Sequence, residues 1–242
     1  MNTEDESKSG GLDLLGAGKV MESIPDEVFT QSADTVLTTF KKLVAPITET
    51  TDGFGRYLRQ KFDNMVAVEK AMLTYTLQNA MEKATRRARK SNIKVHPPEH
   101  VKSYVDAIEH SSREMDPNLN LLWTNLLAAG ISDGVAHPHF VDILSKLTNA
   151  EAQILKSLRP IAEIGENQGG YLSYNLDGFK YWVRENAGKR NPWSMPCVLL
   201  CHLDLADVMP PKVDKDNCTI LYKTASGSMF LDSVSDPDDV AT

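Results

Sequence analysis

Hydrophobic side chains between residues 116 and 129 follow a pattern that is typical of a deeply buried helix. Asp116 is a suitable N-cap, and Pro117 fits the first helical position, where a missing backbone N–H does no harm. The apolar positions after them cover most of the circumference: Leu119, Leu122, Trp123, Leu126, Leu127 and Ala129. Asn125 is a polar residue among them without a capping role, so we expect it to bond a backbone group of the turn that follows.

Two further helices are predicted directly after this turn. His137 and Pro138 begin the first, whose core side is expected to include Phe140, Ile143, Leu144 and Leu147. Residues 148–151 read Thr-Asn-Ala-Glu, which is the spacing of a capping box and predicts that another helix begins there. Together with a helix that begins near Pro98, residues 98–160 are predicted to form three or four short helices.

The pattern before residue 98 predicts longer helices. Apolar residues recur at helical spacing from Phe54 to Lys90, so we expect a helix of about 35 residues that ends at Ser91-Asn92. After residue 165 the pattern changes. Strands are predicted at 171–174 and 218–223, with a helix at 195–208 and a closing helix that starts at 229–231.

These elements predict a mainly α fold with a winged-helix-like C-terminal part that contains a minor β-sheet. We divide the chain into five segments: a mobile N-terminal segment (1–22), a long-helix region (23–97), a compact helical centre (98–165), the winged-helix-like part (166–231) and an acidic, mobile tail (232–242).

Composition indicates a cytoplasmic protein. No apolar run approaches the roughly 18–20 residues that a membrane-spanning helix needs, and the polar N-terminus lacks the features of a signal peptide. Three cysteines without an export signal favour reduced thiols.

Charge is unevenly distributed within the net charge of −7. Residues 56–102 carry 11 basic and 4 acidic groups, so this block is where an anionic partner would bind. The candidate residues for contacting nucleic acid are Arg86, Arg87, Arg89 and Lys90. We favour the plainer interpretation, a solvated helix face whose cations suit the C-terminal end of the helix dipole.

The candidates for chemistry are few. Cys197 and Cys201 would share a helix face beside His202, but their apolar neighbours favour buried structural thiols over a zinc site. His96 and His100 are separated by two prolines, which prevent the helix that would bring them together. An acid pair at Asp204 and Asp207, predicted to be on one helix, is interpreted as exposed carboxylates. We therefore expect no catalytic residue, no cofactor and no metal.

Three stretches of the chain together resemble the abortive infection alpha family of bacterial proteins. They are LLWTNLLA at 121–128, HPHFVDIL at 137–144 and LTNAEAQIL at 147–155, and a segment at 219–231 is similar to the family's closing motif. The motif residues that set the core and the turn are Asp116, Pro117, Trp123, Asn125, His137, Pro138 and Phe140.

The resemblance implies a role in phage resistance by abortive infection, and it provides no catalytic residues. Our preferred hypothesis is a non-enzymatic interaction protein that binds a host or phage protein and self-associates through the long helix. The alternative is a nucleic-acid-binding regulator that uses residues 56–102. A hydrolase whose site assembles from dispersed residues is the third and least favoured hypothesis.

Overall fold

A computed structural model describes residues 60–61, 63–96, 98–132, 136–160, 194–209 and 220–236 of the 242-residue chain. In this part of the chain the fold is mainly α, with seven helices and one two-stranded sheet, as predicted. The helices are α1 (Ala67–Lys90), α2 (Val101–Arg113), α3 (Pro117–Gly130), α4 (Pro138–Leu144), α5 (Asn149–Ser157), α6 (Ser194–His202) and α7 (Ala225–Val234). The strands are β1 (Ala206–Met209) and β2 (Ile220–Lys223).

The long helix is shorter than the apolar pattern predicts, because α1 has a true N-terminus at Ala67. The backbone of its N-cap, Val66, is extended (φ −73°, ψ 163°), which interrupts the helical residues that precede it. The Glu69 carboxylate accepts a hydrogen bond from the Val66 amide at 3.3 Å and supports this new start. The predicted stop is confirmed: Asn92 is left-handed (φ 54°), and the Ile93 amide donates to the Ala88 carbonyl at 2.8 Å.

α3 lies at the centre of the molecule, as its apolar pattern predicts. The Asp116 carboxylate caps it by accepting hydrogen bonds from the amides of Asn118 (2.8 Å) and Leu119 (3.1 Å). Every residue from Trp123 to Ala129 is buried. α3 packs against α1, α2 and α7, so it organises the described part of the fold.

The starts of α4 and α5 are also confirmed. His137 is the N-cap of α4, and its Nδ1 accepts a hydrogen bond from the His139 amide at 3.2 Å. Thr148 and Glu151 form the predicted capping box, in which the Glu151 carboxylate accepts a hydrogen bond from the Thr148 amide at 2.7 Å.

The main hydrophobic core includes side chains from all seven described helices and both strands, and Met72 forms a second, smaller cluster with Val68, Tyr75 and Met115. At its centre Phe140 of α4 meets Phe230 of α7 edge to face, with ring centroids 5.6 Å apart. The helical centre and the C-terminal elements therefore share this core, while the five-segment division of the chain stays a prediction.

The helix predicted at 195–208 is wrong beyond His202. Asp204 adopts a left-handed conformation (φ 58°), which ends α6, and residues 206–209 then pair with β2. The sheet is antiparallel, with Ala206 opposite Lys223 and Met209 opposite Ile220. The predicted second strand is confirmed at Ile220–Lys223. The strand predicted at 171–174 lies outside the described residues, and the winged-helix resemblance is not confirmed.

α7 begins earlier than the predicted start at 229–231 and places Gly227 in its first turn. Residues 232–234 complete α7. Among the described helices, none is both long and apolar enough to cross a membrane.

Candidate functional site

The motif residues of α3 and α4 occupy the core or cap helices. Trp123 is 1% exposed and stacks on the His110 ring, with centroids 5.4 Å apart and planes 5° from parallel. Phe140 packs on Phe230, and His137 caps α4 with Pro138 in the first turn. These positions determine where the helices begin and which surfaces they bury, so they account for the fold rather than for a reaction.

Asn125 has different partners from the ones expected. Its Nδ2 donates to the Val234 carbonyl at the end of α7 (2.7 Å), and its Oδ1 accepts from Lys83 Nζ on α1 (2.7 Å). The prediction of a partner in the turn after α3 is wrong, because the end of α7 packs directly on this side of α3.

Two buried cations of α1 hold the same end of α7. Lys83 Nζ lies 2.6 Å from the Asp236 carboxylate, and Arg87 Nη2 donates to the carbonyls of Asp232 (2.8 Å) and Ser235 (3.0 Å). A helix C-terminus has carbonyls without helical partners and a negative dipole end, and both features favour a cation. We call Lys83, Arg87 and Asn125 the C-terminal clamp.

The basic run of α1 is divided between the interior and the surface. Arg87 is only 5% exposed and belongs to the clamp. Arg86, Arg89 and Lys90 are exposed, and Arg86 Nη2 lies 3.9 Å from the Asp236 carboxylate. Three of the four cations proposed to contact nucleic acid therefore lie on the surface.

The candidate metal ligands do not form a cluster. Over the described residues, no group of three or more His, Cys, Asp or Glu is placed to hold a metal ion; Cys218 is outside them. Burial raises the pKa of the Cys197 thiol to about 12 and also raises that of Cys201. The His96 ring lies against the Ser132 carbonyl, with Nε2 2.9 Å from its oxygen, whereas His100 is the N-cap of α2.

Asp204 and Asp207 are not on a helix, which corrects the predicted spacing of this acid pair. Asp204 lies in the turn after α6 and accepts a hydrogen bond from Ser226 Oγ at 3.1 Å. Asp207 lies on β1 and accepts from the Tyr222 hydroxyl at 2.9 Å, which raises the pKa of that hydroxyl. The Asp204 carboxylate therefore connects the turn after α6 to α7, whereas the Asp207 carboxylate connects the two strands of the hairpin.

The outer face of α6 is apolar. Met195 is 70% exposed and Val198 is 59% exposed, while Cys197 and Leu200 point into the core. His202 is exposed at the end of the same face. The helix contains no lysine or arginine. We call Met195, Val198 and His202 the α6 surface.

The family model of abortive infection alpha proteins matches residues 69–231, which is more than half of the chain. The chain belongs to the abortive infection alpha family. The match begins in α1 and ends in α7, and it confirms the family expected from the motifs. No curated protein and no solved structure matches the chain significantly.

The family match ends directly before the residues that the C-terminal clamp holds. Lys83, Arg87 and Asn125 lie inside the matched residues, whereas residues 232–236, which they hold, follow directly after them. The clamp therefore connects the family region to the last described residues.

Proposed function

We propose that this abortive infection alpha protein acts in phage defence by binding a protein partner, without catalysis, and that the partner binds at the α6 surface. The observation that carries the proposal is the exposure of Met195 and Val198, one helical turn apart on the same face. Exposed apolar side chains that are grouped in this way are typical of interaction sites, and methionine is enriched in protein interfaces.

The chemistry of the α6 surface favours a protein over a nucleic acid. Nucleic-acid binding depends on lysine and arginine side chains that neutralise phosphates, and α6 has neither. The acid pair near α6 that was considered for catalysis, Asp204 and Asp207, also favours a role without catalysis. Asp204 and Asp207 lie on separate elements and accept hydrogen bonds from neighbouring side chains.

Affinity capture from infected and uninfected bacteria tests the proposal. We expect the wild-type protein to retain a specific partner protein and the double variant Met195→Glu/Val198→Glu to lose it. Leu121→Glu is the matched control, because Leu121 is also exposed and apolar but lies on α3. Equal recovery with all three proteins would contradict the α6 assignment, and recovery of nucleic acid alone would contradict protein binding.

The alternative function is nucleic-acid binding through the basic residues 56–102. It is favoured by the exposed side chains of Arg86, Arg89 and Lys90 at the end of α1. If it holds, the protein binds a random duplex at low salt, its affinity falls as salt rises, and Arg89→Ala/Lys90→Ala weakens binding. Absence of binding at low salt would remove this alternative.

Self-association through the long helix and a cytoplasmic location complete the proposal. The apolar stripe of α1 packs against α3 and α2, so a second copy would bind its exposed side. Light scattering across a concentration series tests self-association. A mass that stays at one chain throughout would exclude it.

A further inference from the structure

The C-terminal end of the described chain lies on a row of cations along α1. Lys83, Arg86 and Lys90 are spaced three and four residues apart, so they follow one face of the helix over roughly 10 Å. Arg86 and Lys90 are exposed, whereas the Lys83 side chain is only 10% exposed. We call these three residues the cation row. It passes from the surface to the interior where the C-terminal residues reach α1.

Asp236 covers the buried end of the cation row. Its carboxylate lies 2.6 Å from Lys83 Nζ and 3.9 Å from Arg86 Nη2. The Asp236 side chain is itself 23% exposed, so the pair can be reached from solvent. An anionic oxygen between two cations is also the arrangement in which lysine and arginine bind a phosphate, because carboxylates and phosphates both accept charge-assisted hydrogen bonds.

Asp236 lies beyond α7, whose C-cap, Ser235, is extended (φ −84°, ψ 153°). Asn125 and Arg87 hold the helix itself, through hydrogen bonds to carbonyls of its last turn. Displacement of residues 235–236 would remove one of the two carbonyls that Arg87 binds and leave the other in place. These two residues can therefore leave α1 while α7 stays on the core.

The charge around the cation row favours a nucleic acid over an acidic protein as the competing ligand. Residues 56–102 carry 11 basic and 4 acidic groups, and the row continues past Asp236 to the exposed Lys90. A duplex carries one negative charge per roughly 1.7 Å of its axis, so it can neutralise the whole row at once. One carboxylate of a protein pairs with only one or two of these cations.

We propose that residues 235–236 are an autoinhibitory latch, in which Asp236 occupies the place of a nucleic-acid phosphate beside Lys83 and Arg86. The latch rests on the alternative function, because its ligand is the nucleic acid that residues 56–102 would bind. With the latch closed, a duplex contacts only the exposed end of the cation row. A phosphate that displaces Asp236 extends this contact, and it leaves no buried cation without an anionic partner.

Duplex binding over a salt series, measured by fluorescence anisotropy with the full chain, tests the latch. The variant Asp236→Asn removes the charge and keeps an oxygen that can accept from Lys83. Asp232→Asn is the matched control, because the Asp232 side chain is exposed at the same end of α7. We expect Asp236→Asn to bind a random duplex about tenfold more tightly at low salt, with a slope of log affinity against log salt that is steeper by about 1–2. Asp232→Asn should change the affinity by less than about twofold, because an exposed charge is screened.

Arg86→Ala tests whether the gain comes from the cations that the latch covers. In the Asp236→Asn background, this substitution should weaken duplex binding by about fivefold, because Arg86 then contacts a phosphate. In the wild type, where Asp236 lies near Arg86, the loss should be less than about twofold. Equal losses in the two backgrounds would contradict the latch.

A measurement on the wild type does not depend on the folding of any variant. Saturating duplex should shift the NMR signal of the Asp236 side-chain carboxylate, because its pair with Lys83 is broken, and should leave the signal of Asp232 unchanged. An unchanged Asp236 signal in a duplex-bound chain would overturn the latch.

The binding series separates failure of the latch from failure of the alternative function. If the wild type, Asp236→Asn and Asp232→Asn bind the duplex equally, nucleic-acid binding holds and the latch is overturned. If none of them binds at low salt, both are overturned. Tighter binding of polyglutamate, but not of the duplex, by Asp236→Asn would identify an acidic protein as the ligand and would also overturn this proposal.

Discussion

Two buried asparagines of α3 each connect this helix to two others. Asn120 accepts a hydrogen bond from Thr76 Oγ1 on α1 (3.3 Å) and donates to the Ser111 carbonyl on α2 (3.3 Å). Asn125 connects α1 to α7 in the same way, through Lys83 and Val234. A buried amide is destabilising unless it is paired, so these residues favour one arrangement of the four helices over others that bury similar apolar area.

Replacement of Asn125 by alanine is expected to destabilise the protein by about 2–4 kcal/mol. The change removes an acceptor from the buried Lys83 ammonium and a donor from the Val234 carbonyl. Urea unfolding measures the effect. Asn118→Ala is the control, because Asn118 is exposed on the same helix, and it should change the free energy of unfolding by less than about 0.5 kcal/mol. Equal effects of the two substitutions would contradict the role given to Asn125.

Gly227→Ala is expected to destabilise the protein by at least about 3 kcal/mol, because there is no space for a side chain. An added Cβ would lie 2.0 Å from the Leu205 carbonyl oxygen, which is backbone and cannot rotate away. Thermal unfolding followed by circular dichroism measures the loss. Ser226→Ala, a change in the same turn at a partly exposed hydroxyl, should be nearly neutral. A Gly227→Ala variant as stable as that control would show that the hairpin and α7 can separate at little cost.

At the scale of elements, a group of ion pairs around Glu109 and Arg113 connects α2 to α1 and to the residues before α1. Lys61 Nζ lies 2.8 Å from the Glu109 carboxylate, Arg113 Nη1 lies 3.3 Å from the same group, and Arg113 Nε lies 3.4 Å from Glu69. The hydrogen bond from Lys61 is the main cause that lowers the pKa of Glu109, and burial opposes it. The Lys61–Glu109 pair holds the segment before the Val66 break against α2, and the Arg113–Glu69 pair connects α2 to α1.

The lowered pKa of Glu109 predicts a loss of stability in acid. The ionised group stabilises the folded state above the unfolded pKa of 4.5, and this contribution is lost as pH falls through the lower folded pKa. Glu109→Gln should therefore reduce the decline of the unfolding free energy below pH 4.5, as measured by urea unfolding over a pH series. Asp106→Asn is the control, since Asp106 lies on the same helix with its side chain exposed. The same acid decline in Glu109→Gln as in the wild type would contradict this prediction.

At the scale of the whole molecule, the clamp makes the end of α7 part of the common core. Lys83 and Arg87 are both buried, so loss of the groups that pair them would leave two cations in the interior. The free energy of unfolding should therefore depend on residues 232–236, which lie beyond the family match.

Two truncations test this dependence. A chain that ends at Leu231 should lose at least about 3–5 kcal/mol, because it removes the Asp236 carboxylate that pairs with Lys83 and the two carbonyls that accept hydrogen bonds from Arg87. A chain that ends at Asp236 keeps every clamp contact described and should match the full-length protein in thermal unfolding. Equal stability of the two truncated chains would show that water molecules can replace the hydrogen bonds that residues 232–236 make with the clamp.

Local signals in the sequence were sufficient to predict the starts of α3, α4 and α5. Asp116, His137 and the Thr148–Glu151 pair each cap a helix through residues within a few positions, so their contacts depend on adjacent sequence alone. The same locality predicted the stop at Ser91-Asn92 and the burial of α3. The end of α6 was missed because residues 203–208 are apolar enough to continue a helix. The pairing of residues 206–209 with β2, more than ten residues later in the chain, ends the helix instead.

The sequence by itself determined the mainly α class, the starts of α3, α4 and α5, the buried α3 and the family, because these depend on neighbouring residues and on motifs. Only the tertiary structure decided the partners of Asn125, the burial of Arg87 and the close approach at Gly227. Each of these arises where segments far apart in the chain are brought together, as when the end of α7 reaches α1 some 145 residues away. Such contacts follow from the packing of the whole core, which the periodicity of a single segment does not encode.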